Sequence, residues 1–157
     1  LRFLLNTYSL TLTAMPRLDR ILIILMGAFF LVFAFPKLLP TDDSAALFNQ
    51  INAFTGWTGS WFRIMTGVLE LTVGAMLVIG GLMTKTPGPL LSPYGVFLLG
   101  AGGTVGTMLG ALTVEIAVRP GEDIALLVLA FILLGLALFL LWRQRAHLPI
   151  VGTPRWS

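Results

Sequence analysis

Residues 124–142 read IALLVLAFILLGLALFLLW, a run without one charged side chain. About 20 mostly apolar residues cross the roughly 30 Å hydrocarbon core of a bilayer, so this run is long enough to span one. Working outward, three more stretches have the same character: residues 21–39, 62–82 and 94–118. A buried helix of a soluble protein needs other layers to cover it. Four such runs in 157 residues leave no chain to build those layers. Composition agrees, with 57% hydrophobic and 11% charged residues, against about 45–50% and about 25% in soluble domains. The sequence therefore predicts an all-α integral membrane four-helix bundle.

The connections differ in kind. In residues 40–61, PTDDSAALFNQINAFTGWTGSW, the apolar Leu47, Phe48, Ile51 and Phe54 recur at helical spacing. Thr41, Asp43 or Ser44 can cap that turn of chain. The expectation is a short amphipathic helix at the membrane interface, with Trp57 and Trp61 at headgroup level. The next connection carries Pro87, Pro89 and Pro93 and cannot be one continuous helix. The last, RPGED, is a tight turn joining two antiparallel spans. Residues 1–20 read as an interfacial segment with a poor signal-peptide pattern, residues 21–142 as the bundle, and residues 143–157 as a tail.

Cationic residues near span ends set orientation. One side collects Arg2, Arg17, Arg20, Lys85, Arg143, Arg145 and Arg155; the other collects Lys37, Arg63 and Arg119. Both termini are expected in the cytoplasm of a bacterial cell, with the chain crossing the inner membrane.

Ionisable groups at membrane depth cost about 2.5–3.5 kcal/mol each at the centre, so each needs a reason. Lys37, Arg63, Glu70, Glu115 and Arg119 lie in or at the ends of spans, all in the outward half. Glu70 shares a helical face with Arg63, and Glu115 precedes Arg119 by the four residues that suit an ion pair. Glu70 is too short to reach the interface and needs a partner, for which Lys37 and Arg63 are the candidates. The five together are a candidate outward-facing polar cavity. Structural ion pairing with snorkelling ends is the alternative.

Small residues suggest where helices meet. Gly102, Gly106 and Gly110 fall at four-residue steps, as does the neighbouring ridge of Gly103, Thr107, Ala111, Glu115 and Arg119. Gly67, Glu70 and Gly74 share a face of the second span. Such small-residue patterns let backbones approach, so the second and third spans are expected to pack through these faces. GAGGTVG lacks the third glycine and the preceding strand of a nucleotide-binding loop. There is no cysteine, which removes disulfides and thiolate sites from this chain, and the lone His147 has no companions for a metal. No nucleophile–base set is visible, and a net charge of +3 gives no reason to expect nucleic acid.

Gly27, the FAFPKLLP stretch with Lys37, and then Arg63, Gly67, Glu70 and Gly74 in WFRIMTGVLELTVGAMLVIGGL resemble the DoxX-like family of small four-span membrane proteins. The resemblance covers about residues 20–142 and is carried by the first two spans. It implies a four-helix bundle. Some members are linked to quinone-coupled oxidation and others to thiol homeostasis, from which this cysteine-free chain departs. Two functions compete, ahead of a third, a small-molecule or ion carrier using the same outer cavity, which the lack of an evident internal repeat disfavours. One is a non-catalytic accessory subunit docking to other subunits of a larger respiratory or photosynthetic membrane complex. The other is the membrane subunit of a quinone-linked oxidoreductase using Glu70 with Lys37 and Arg63. Only the second calls for a cofactor, a quinone bound rather than carried within the chain.

Overall fold

The computed structural model describes residues 15–39, 41–83 and 92–145. The N-terminal stretch before residue 15, the proline-rich connection 84–91 and the tail from residue 146, His147 included, lie outside the described residues. Four helices are long and apolar enough to cross a membrane: α1 (Arg17–Leu38), α3 (Trp61–Leu82), α4 (Pro93–Ala117) and α5 (Ile124–Gln144). A shorter α2 (Asp42–Thr55) sits between the first two. There is no strand among the described residues, and the protein is an all-α, multi-pass membrane bundle. The 22 residues of α1 and of α3 reach about 33 Å at 1.5 Å per residue. Both outer helices extend past the apolar runs, α1 starting at Arg17 and α5 continuing to Gln144.

Each span buries one seam. In α5 it is Ala130, Leu133, Ala137, Leu140 and Gln144; in α1 it is Asp19, Ile23, Met26, Phe30 and Ala34. Steps alternating between three and four residues keep one stripe facing neighbours along the whole helix. The opposite faces carry exposed Leu25, Val32 and Phe35 on α1 and Val128, Phe131 and Ile132 on α5. Lipid tails suit those faces, because hydrocarbon is as apolar as the side chains.

Glycine sets how closely the helices approach. A Cβ on Gly27 would come 2.8 Å from the Gly74 carbonyl oxygen, and one on Gly74 would come 2.9 Å from the Gly27 carbonyl oxygen. The backbones of α1 and α3 thus touch at their midpoints. Gly67 meets Lys37 and Leu38 of α1 in the same way. Between α3 and α4 the close contacts are Gly100 on Leu77, Gly103 on Val73, and Gly80 on the Phe97 backbone.

Here the structure departs from the expected packing. Gly67 and Gly74 face α1 rather than the third span, and a Cβ on Gly102, Gly106 or Gly110 would meet nothing within 4 Å. These three glycines lie on the outer surface of α4. The inward seam is Phe97, Ala101, Thr104, Met108, Leu112 and Glu115, almost opposite on the helical wheel. A carboxylate cannot face hydrocarbon, whereas glycine can, so Glu115 decides how α4 is turned.

At the end away from the chain termini, which we call the loop end, Thr41 accepts from the Ser44 N–H (3.3 Å) and starts α2. Gly56 stops α2 at φ 73°, a left-handed conformation that glycine adopts without penalty. Phe48 and Ile51 of the expected apolar stripe are buried, while Phe54 points outward. Phe48 meets the Phe62 ring edge-on at 5.8 Å, and Gln50 Nε2 reaches Glu122 Oε2 at 3.3 Å. The helix is therefore held to α3 and to the α4–α5 turn. That turn is tight as expected, with Gly121 at φ 80° and Asp123 capping α5 through the Leu126 N–H (3.0 Å).

Candidate functional site

The five charged residues singled out from sequence all lie at or toward the loop end, in two separate groups. In the first, Lys37 in the last turn of α1 places Nζ 2.5 Å from Glu70 Oε2 on α3. The ammonium also donates to the Phe33 carbonyl (3.3 Å) and lies 5.9 Å above the Phe33 ring. Of the two candidate partners for Glu70, the lysine is the one that reaches it. Arg63 instead donates Nη1 to the Lys37 carbonyl, capping the C-terminal end of α1. No carboxylate pairs with Arg63 among the described residues.

The second group centres on Arg119. Its Nη1 is 3.2 Å from Glu115 Oε1, the expected four-residue pair, and its Nε is 3.1 Å from Glu122 Oε2. Glu115 Oε2 is buried with no hydrogen bond among the described residues. No hydrogen bond or ion pair between described side chains joins the Arg119 group to Lys37, Glu70 or Arg63. An open cavity of about 290 Å³ lies between α2 and the start of α3. Arg63 lines it; Lys37, Glu70, Glu115 and Arg119 do not.

A third polar group, at the opposite end, was not singled out from sequence. Asp19 in the first turn of α1 is completely buried. Its Oδ2 accepts from Gln144 Nε2 at the end of α5, and Arg143 Nε lies 3.1 Å from Oδ1. Beside it, Arg20 donates Nε to the Gly81 carbonyl (2.7 Å) and Nη2 to the Leu82 carbonyl (3.3 Å), capping α3. The signal was available: Asp19, Ile23, Met26 and Phe30 share one helical face, which puts the carboxylate on the seam. Asp19→Leu leaves Gln144 without its acceptor and Arg143 without its counter-charge, and should destabilise the bundle by about 1–3 kcal/mol. Unfolding in detergent would show this as a lowered midpoint, with Asp19→Asn, which keeps one acceptor oxygen for Gln144, falling between.

Chemically, these groups hold helices. Lys37–Glu70 neutralises two charges across the α1–α3 joint, and Arg20 and Arg63 satisfy the carbonyls at opposite ends of the same pair. No cluster of His, Cys, Asp and Glu suited to a metal ion is present among the described residues. Fold and charges together define a small all-α multi-pass membrane protein with its charged groups drawn inward. No family model, no curated protein and no solved structure matches the chain. The sequence places the DoxX-like expectation on Gly27, Lys37, Arg63, Gly67, Glu70 and Gly74. Each of them has a contact: Gly27 with Gly74, Gly67 with Leu38, Lys37 with Glu70, and Arg63 with the Lys37 carbonyl. The whole pattern is one helix–helix joint.

Proposed function

We propose that this is a DoxX-like, non-catalytic accessory subunit of a larger membrane complex, placed in a bacterial inner membrane with both termini cytoplasmic. The observation that carries the reading is the outer face of α4. Gly102, Gly106 and Gly110 leave a charge-free strip of bare backbone that none of the described residues covers. Lipid tails gain little from such a strip, whereas a transmembrane helix can approach it as closely as α1 approaches α3. The occupant that fits is an apolar span of a larger subunit. The motif residues support the same view, because the α1–α3 joint already occupies them.

The test is Gly106→Leu, expressed in native membranes and extracted gently. The expected result is loss of co-purifying subunits with the unfolding midpoint unchanged, since a side chain at Gly106 would meet none of the described residues. If Gly106→Leu leaves every partner in place, the docking face is wrong. If the protein instead purifies alone with bound quinone, and Glu70→Gln abolishes turnover without loss of fold, the quinone-linked alternative replaces the subunit reading.

A further inference from the structure

The cavity between α2 and the N-terminal end of α3 has chemistry that the α1–α3 joint does not use. Arg63 is only 8% exposed and lines it. Its bond to the Lys37 carbonyl occupies one guanidinium nitrogen, and no carboxylate neutralises it among the described residues. A buried guanidinium without a counter-charge is costly, and its planar donors match an oxyanion. Ser60, also in the wall, stands at the N-cap of α3 and makes no side-chain bond to it. The first N–H groups of a long helix are thus left without a side-chain cap, at the end where the helix dipole favours negative charge.

Two asparagines complete the wall. Asn52 Nδ2 donates to the Gly59 carbonyl (3.0 Å), while its Oδ1 is turned into the protein and has no partner among the described residues. Asn49 lies one turn earlier on the same face of α2. No carboxylate lines the space; Asp42 and Asp43 sit in the exposed first turn of α2 and are not part of it. A buried cation that faces no carboxylate suits an oxyanion. The volume of about 290 Å³ lies near the lower end of small-molecule sites, about 300–1,000 Å³. It admits a headgroup and excludes a whole lipid.

We propose that this cavity binds a phosphate group, held against Arg63 and the α3 N-terminus. A lipid headgroup is the favoured source. Trp57 and Trp61, both exposed, lie 5.3 Å apart at the start of α3 with Phe62 edge-on to each, and tryptophan concentrates where headgroups meet hydrocarbon. The site stands independently of the α4 docking face, which is on another helix.

The experiment places the whole protein in phosphatidylcholine nanodiscs, titrates in phosphatidylglycerol, and reads bound lipid by native mass spectrometry. Glycerol 3-phosphate is added to parallel discs lacking phosphatidylglycerol. Arg63→Gln removes a charge-assisted contact and Asn52→Asp sets a negative charge in the cavity wall, and each should weaken the retained anion by roughly tenfold or more. Thr58→Asp, exposed at the same end and outside the cavity, controls for surface charge and should bind as the parent does. Retention of phosphatidylglycerol assigns the site to a lipid headgroup. Retention of glycerol 3-phosphate alone assigns the same site to a soluble phosphomonoester. Equal retention by the parent and both cavity variants overturns the proposal, as does loss in Thr58→Asp equal to that in Asn52→Asp. Should Arg63→Gln fail to fold, Asn52→Asp decides the matter, because Asn52 lies on α2 outside the spans.

Discussion

Gly27→Leu should prevent the four spans from assembling, the largest effect expected of any single change in this chain. Even the Cβ of alanine would stand 2.8 Å from the Gly74 carbonyl oxygen and 2.9 Å from Leu77 Cβ. One of those atoms is backbone and the other is fixed to it, so neither can swing aside. Overpacking a close contact costs about 1–3 kcal/mol when one small group is added, and Gly27→Ala should fall in that range. Leucine adds three more carbons in the same direction. It forces α1 off α3, which also separates Lys37 from Glu70 and Arg20 from the end of α3. Against a total stability of about 5–15 kcal/mol, that combination leaves no folded state. Thermal unfolding in detergent separates the cases: a lowered midpoint for alanine, no cooperative transition for leucine, and no change for Gly106→Ala. An unaltered midpoint in Gly27→Leu would mean that the two backbones do not meet there.

The second large effect concerns charge. Lys37→Met should destabilise the bundle by about 3–5 kcal/mol, the cost of leaving one member of a buried pair uncompensated. Glu70 is the member that suffers, being 9% exposed in its side chain and too short to reach water. Glu70→Leu should cost less, because the Lys37 stem is long and begins in the last turn of α1, where its head can turn outward. Lys37→Met combined with Glu70→Leu should recover most of the loss, since two apolar side chains replace a pair that was costly to bury. A double-mutant cycle measures the coupling, and simple additivity of the two single changes would refute it.

How much of this could be read beforehand follows from the physics of each feature. The spans were legible because length and hydropathy alone identify a segment that must hide its backbone from lipid. The Glu115–Arg119 pair was legible because its spacing is local. The need of Glu70 for a cation was legible from depth, but the choice of Lys37 over Arg63 depends on how helices cross. Of the two ridges expected to pack, the one carrying Gly103 and Glu115 turns inward, with Gly103 against Val73, while Gly102, Gly106 and Gly110 turn outward, because burying Glu115 carries the larger energy. Gln50 with Glu122 and Asn52 with Gly59 left no signal at all. Their partners are brought together by loops whose paths no periodicity describes.

The bond between Asp19 and Gln144 spans 125 residues of sequence, and that separation orders events during synthesis. A nascent chain releases α1 first, with Asp19 at one end and Lys37 at the other. The arrival of α3 neutralises Lys37, so the first hairpin can settle before the rest is made. Asp19 has no such early remedy. Its acceptors stay open until the last turn of α5 has left the ribosome, when the second hairpin, closed by its own short turn, can swing in and complete the ring. A chain interrupted anywhere before that turn carries an unanswered carboxylate, a mark by which quality control could tell unfinished protein from finished.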